Sequence, residues 1–161
     1  MNLRPLSLIA GLLLLAACSS TPPATNNAGG QNGSGSTTSS SIVPGSSQDF
    51  VQNVGDRVFF DTDKSAIKAE GQQTLQRQAQ WLAKYPNVTI TVEGHCDDRG
   101  TREYNLALGE RRAQAVRNAL VALGVQANRV KTISYGKERP AVVGDNEAAW
   151  AQNRRGVTVI N

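Results

Sequence analysis

The sequence is poor in most of the residues that carry catalysis or crosslinks. It holds two cysteines, one histidine and one methionine among 161 residues, and aromatics make up 5%. Two cysteines cannot staple a disulfide scaffold. One histidine, His95, beside one internal cysteine, Cys96, cannot supply the three or four spaced ligands of a zinc site. Adjacent residues of an extended strand point to opposite faces, so they do not form a nucleophile–base pair either. Both are expected to pack or hydrogen-bond at a strand exit, and no metal or cofactor is expected. Charge is missing altogether between Ser19 and Gln48. All 13 acidic residues, and every one of the 17 basic residues except Arg4, lie from Asp49 onward. The folded part is therefore expected over residues 49–161, enough chain for one core and too little for a multidomain enzyme.

What precedes it reads as an address and a spacer. Arg4 is followed by an apolar run from Leu6 to Ala17, well short of the roughly 20 residues that span a bilayer. A basic start and a short apolar run are the signature of a secretory signal peptide, here residues 1–17. The run ends Leu15-Ala16-Ala17-Cys18, which resembles a bacterial lipobox. That resemblance implies lipid on Cys18 as the mature N-terminus, and Ser19 behind it resembles an outer-membrane address. Two or more acyl chains give a stable anchor, at about 0.8 kcal/mol per buried CH₂. Residues 18–48 then form the lipidated end and a Ser/Thr/Gly/Asn linker with too little apolar surface to fold. As a flexible coil it reaches about 30 Å. With Cys18 acylated, Cys96 stands alone in an oxidising compartment and should be buried.

The remainder alternates strands and helices. Arg57–Phe60 is β-prone, with turn and cap chemistry in Asp61-Thr62-Asp63. Leu75, Ala79 and Leu82 have helical spacing, ended by Tyr85-Pro86-Asn87. Val88–Val92 alternates with period two and predicts a strand, with a loop from Gly94 to Gly100. A helix is predicted from about Arg102 to Leu123, with Leu106, Gly109, Ala113, Val116 and Leu120 inward and Gly124 as its stop. Val130–Tyr135, Asn146–Gln152 and Gly156–Ile160 predict a strand, a short helix and a last strand. The order β-α-β-α-β-(α)-β predicts an α/β (α+β) sandwich, with helices packed on a mixed four-stranded sheet.

Other chemistries fit poorly. The Gly94–Gly100 loop lacks the phosphate-loop order, and Asp97 and Asp98 would repel phosphate. Asp97 with Glu93 or Glu103 could be imagined as a glycosidase pair, but nothing in the spacing selects it. Without Arg4 the basic surplus is three, interspersed with acids, so nucleic acid is not an expected partner. What stands out is polar. Asp97-Asp98-Arg99-Gly100-Thr101 leads into a helix bearing Asn105 and Arg112, seven residues and nearly two turns apart. Gly109 is expected to open a shallow space beside that helix. An Arg fork suits a carboxylate and an Asp suits an ammonium, a match to a zwitterionic ligand. On spacing alone it is equally possible that Asp97 caps the helix and Arg112 pairs with it internally.

Five blocks carry a resemblance: Phe59–Lys64, Val92–Thr101, Glu103–Ala113, Ser134-Tyr135-Gly136 and Asn153-Arg154-Arg155. In that order and spacing they resemble the OmpA-like peptidoglycan-binding domain family. The resemblance implies a non-catalytic domain that grips the diaminopimelate of the stem peptide through Asp97 and Arg112. It implies supporting contacts from Arg99, Thr101, Asn105, Leu108, Phe60 and Asp61, and a mainly architectural role for Arg154 and Arg155. With the lipobox and linker in front, it further implies an outer-membrane tether that meets TolB and other Tol–Pal components. Cys96, Asp98 and Arg102 depart from the usual Thr, Glu and Pro, and none of them removes an implied ligand contact.

Overall fold

The structure, a computed structural model, describes residues 42–161. The expected signal peptide, Cys18 and most of the expected linker lie outside the described residues. A short helix α1 (Ser47–Asp49) runs on into a wider helical turn over Phe50–Val54. Then follow β1 (Arg57–Phe59), α2 (Ala69–Lys84), β2 (Ile90–His95), α3 (Arg102–Ala122), β3 (Val130–Gly136), α4 (Glu147–Asn153) and β4 (Arg155–Ile160). The strands form one sheet in the order β1-β4-β2-β3. Only β2 and β3 are parallel, and α3 is the crossover that a parallel pair requires. The expected mixed four-stranded sheet is what forms.

Helices α2 and α3 cover one face of that sheet. Between them sit Leu75, Leu82, Ile90, Val92, Val116 and Leu120, all essentially inaccessible to solvent. Phe50 seals one end of the core with its ring edge-on to Trp81. The core cluster lies wholly between Phe50 and Ile160, so residues 42–161 carry everything the domain needs to fold. The lead-in is tied down through Asp49, which accepts hydrogen bonds from Gly45 N, Asn53 Nδ2 and Trp81 Nε1.

Several expectations need correction. Strand β2 is displaced two to three residues toward the C-terminus. Val88 N–H closes a turn on Tyr85 O and so leaves the ladder, while Gly94 and His95 stay paired with Gly156 and Gly136. Asp61-Thr62-Asp63 caps no helix. Helix α2 starts only after Lys68, which has no side-chain cap, and the Asp61 carboxylate pairs instead with Lys68 at 2.7 Å. Leu106 is not core: it is 50% exposed, whereas Leu108 is 3% exposed. The inward row of α3 runs Asn105, Leu108/Gly109, Arg112/Ala113, Val116, Leu120, and Leu106 falls off its edge. Gly109 opens no space. A Cβ there would stand 2.3 Å from Ser134 Oγ, so the glycine serves close contact between helix and sheet.

Helix α3 begins at Thr101, whose hydroxyl accepts from Tyr104 N at 3.2 Å. Thr101→Ala removes that cap from the helix that carries the site. The expected cost is about 1 kcal/mol, read from urea melts with unchanged m-value.

Candidate functional site

The loop between β2 and α3 is held from three sides. Cys96 N–H donates to Gly136 O, and Cys96 Sγ–H donates to Asn105 O. Asn105 Nδ2 donates to Arg99 O at 2.6 Å and to Thr101 O at 3.0 Å. Lys137 Nζ donates to Asp98 O and Gly100 O. Gly100 takes a left-handed φ of 83°, which a residue with a Cβ adopts at a cost. Burial raises the Cys96 thiol pKa, so the group stays protonated and a poor nucleophile. Cys96 is free and buried.

This loop presents Asp97. Its Oδ2 accepts from Arg99 Nη2 at 2.6 Å and from Arg154 Nη1 at 3.2 Å. Burial alone would raise its pKa, but the Arg99 and Arg154 hydrogen bonds outweigh burial and hold it below the usual value. Asp97 Oδ1 accepts no hydrogen bond from the described residues and is the acceptor left for a visitor. Arg154 is itself fixed, donating to Phe60 O and pairing with Glu147. Arg99 lies over the Trp150 ring at 4.2 Å and reaches Thr62 Oγ1 at 3.3 Å.

Asp97 and Arg99 line a cleft of about 230 Å³ with Thr62, Asp63, Gly100 and Tyr104. Asp63 is the only non-glycine residue with positive φ among the described residues, at 55°. Its carboxylate accepts from Tyr104 OH. Backbone strain of this kind is kept where the surroundings over-determine it, often at sites. Two anions and one cation around a small polar hollow suit a ligand that carries both charges.

Arg112 does not line the cleft. It is 0% exposed. Its Nε donates to Lys64 O, Nη2 to Asp61 O, and Nη1 to His95 O and Cys96 Sγ. Four of its five N–H donors are thus engaged, and one on Nη2 remains. It shares no hydrogen bond with Asp97, and Thr101 rather than Asp97 caps α3. The internal Asp97–Arg112 arrangement left open by the spacing is therefore absent. Asn105, Leu108 and Phe60 are buried, with Phe60 placing its ring 5.2 Å beneath the Arg112 guanidinium. Asp61 is half exposed at the surface among Lys64 and Lys68. The structure thus brings Asp97 and Arg99 together at the cleft and puts Thr101 beside it. It layers Asn105, Leu108, Arg112 and Phe60 behind.

Sequence reasoning missed Arg154 as a direct partner of Asp97, although Asn153-Arg154-Arg155 was one of the resembling blocks. It also missed Tyr104 and Trp150. These two lie on α3 and α4 in positions that periodicity marks as surface, so nothing local pointed to them.

Behind the loop, His95 is 2% exposed, with Nε2 donating to Glu93 Oε2 at 3.3 Å. Desolvation, reinforced by the Arg155 guanidinium, pushes its pKa from 6.5 down to about 4. The unfolded chain takes up a proton near pH 6.5 that the folded protein refuses until about pH 4. Stability should therefore decline by about 3 kcal/mol on acidification through that window. Urea midpoints measured from pH 7 to pH 4 should show this decline, flattened in His95→Gln.

Residues 59–154 match the OmpA family. A protein described as peptidoglycan-associated lipoprotein from Agrobacterium fabrum is 68% identical over 117 residues, covering 73% of this chain and 66% of that relative. The match thus spans a little under two thirds of that relative's length. One of the same description from Pasteurella multocida is 50% identical over 112 residues, covering 70% of this chain and 74% of its own. Among solved structures, the peptidoglycan-associated lipoprotein of Burkholderia pseudomallei is 46% identical with a TM-score of 0.64, covering 66% of this chain and 90% of that one. The C-terminal domain of Helicobacter pylori MotB is 27% identical with a TM-score of 0.62, over 66% of this chain and 84% of that one. The chain belongs to the OmpA family.

Proposed function

We propose that this protein is an outer-membrane lipoprotein that holds peptidoglycan without breaking it. Acyl chains on Cys18 anchor it, the uncharged linker spans the gap, and the domain grips the zwitterionic end of diaminopimelate in the stem peptide. The observation that carries this reading is the cleft itself, with Asp97 Oδ1 open as an acceptor and guanidinium donors of Arg99 at its wall and Arg112 behind it. The ligand ammonium goes to Asp97. The ligand carboxylate goes to the guanidinium side, where Arg99 donates; Arg112, fully buried, joins it when the Asp61–Lys64 segment that covers its guanidinium shifts aside. Arg154, itself held by Glu147, keeps the Asp97 carboxylate oriented. High identity to proteins described as peptidoglycan-associated lipoproteins supports the same reading. It extends to TolB and other Tol–Pal components as partners, and to envelope integrity and division as the setting.

The test is co-sedimentation of residues 42–161 with purified sacculi, together with assay of the supernatant for released muropeptides. Binding with no release is expected. Release of muropeptides would make the protein an enzyme, and absence of binding would leave protein–protein assembly as its role.

A further inference from the structure

Helices α2 and α3 cover one face of the sheet; the opposite face has an unusual surface. Strand registers place Arg57, Val157, Glu93 and Ile133 in one row across all four strands. Phe59 stands opposite Arg155, and Lys131 lies two residues from Ile133 on the same side. Phe59 is 40% and Ile133 38% exposed. Arg139 joins this face, its guanidinium 3.7 Å over the Tyr135 ring, with its carbonyl accepting from Arg155 Nη2.

The charges here do not cancel. Arg57, Lys131, Arg139 and Arg155 face Glu93 and Asp56, a surplus of two cations. Arg57 has Asp56 at 3.5 Å and Glu93 contacts His95. Lys131 and Arg139 pair with no carboxylate among the described residues, whereas Arg155 is 7% exposed, donates to Asn153 O and Arg139 O, and adds its charge from beneath without reaching the surface. Apolar side chains inside a ring of long cations are what an anionic, flat surface takes up, because the cations reach headgroups while their stems and the apolar groups cover hydrocarbon. A second copy of this face would meet it with like charge, which argues against self-association.

We propose that this helix-free sheet face docks against an anionic phospholipid surface, so that the domain rests on the membrane when it is not on the wall. This goes beyond the wall-binding reading and uses none of its residues. Lipid on Cys18 would keep the membrane within reach of the linker.

The test is co-sedimentation of residues 42–161 with vesicles of phosphatidylcholine mixed with phosphatidylglycerol, against vesicles of phosphatidylcholine alone. Partition onto the mixed vesicles only is expected, and it should weaken as salt rises. Arg57→Gln and Lys131→Gln should each lower it about fivefold, and Phe59→Ala should lower it further. All three should keep sacculus binding, since none of these side chains lines the cleft, and melts should show Phe59→Ala, whose ring is 40% exposed, still folded at the assay temperature. The proposal fails if neither vesicle is bound, or if the three variants partition like the parent. It also fails if the face binds a poly-glutamate peptide but no vesicle, which would assign it to an acidic protein partner.

Discussion

Asp97→Ala should abolish capture of sacculi, a fall in affinity of about a hundredfold or more. Truncating one member of a buried, hydrogen-bonded charge pair costs about 2–5 kcal/mol of binding, and each 1.4 kcal/mol is tenfold. The ligand ammonium would lose its carboxylate and meet Arg99 and Arg154 in its place, so the cleft turns from complementary to repulsive. Asp97→Asn keeps the shape of the side chain and its Oδ1 acceptor but removes the charge. It should retain a measurable remnant of binding while failing to hold Arg99 and Arg154 as tightly. Folding is the necessary control. Arg154 is nearly buried, and losing Asp97 leaves it only Glu147 and Phe60 O, a cost of about 3 kcal/mol by the usual penalty for breaking a buried pair. Melts at neutral pH separate that cost from the loss of binding. If a folded Asp97→Ala protein still pellets with sacculi, the ammonium does not sit on this carboxylate.

Arg112 is a less clean probe, for a reason only the structure supplies. Its guanidinium joins the carbonyls of Asp61, Lys64 and His95, three points on two separate segments. Arg112→Ala would leave those carbonyls unpaired in the interior, so loss of binding could follow from loss of fold. The sequence shows that an Arg stands on the same helix face as Asn105. It does not show that the face is turned inward, because a charged residue on an amphipathic pattern ordinarily reads as solvent-facing. The resemblance of the motif blocks named Arg112; periodicity would not have done so.

The rest of the fold was legible where one signal dominated. Leu75, Ala79 and Leu82 at helical spacing marked α2. The crossover between two β-prone runs marked a parallel pair, and the order of elements marked the mixed sheet. Legibility failed where tertiary contacts override local pattern. Val88 and Thr89 alternate like a strand, but Val88 N–H is taken by a turn and its carbonyl by Arg129. Gly94 reads as the start of a loop, but it continues a strand because a helix backbone lies against it. Leu106 and Leu108 are both apolar, and only the rotation of α3 about its own axis against the sheet decides which is buried. The site was half legible for the same reason: Asp97 and Arg99 are two residues apart in one loop, whereas Arg154 reaches Asp97 from the junction of α4 and β4, 57 positions further on.

Gly94→Ala should be the most destabilising conservative change in the domain. A Cβ at that position would stand 1.8 Å from Gly109 O and 2.5 Å from Gly109 C. Both are backbone atoms of α3, so no rotamer change relieves the clash; the helix must lift by more than an ångström. Overpacking of this kind typically costs 1–3 kcal/mol, and more when the neighbour is rigid, so a loss above about 3 kcal/mol and a drop in Tm of more than about 10 °C are expected. Lifting α3 also shifts Asn105, Leu108 and Arg112, the residues layered behind the cleft, so any folded fraction should bind sacculi weakly. Gly124→Ala is the matched control. Gly124 has φ 98° but nothing within 4 Å of an added Cβ, so it incurs only the backbone cost of a left-handed residue, about 1 kcal/mol. Should the two variants melt together, α3 is not seated backbone-to-backbone on β2, and the depth at which Arg112 lies behind Asp97 would have to be redrawn.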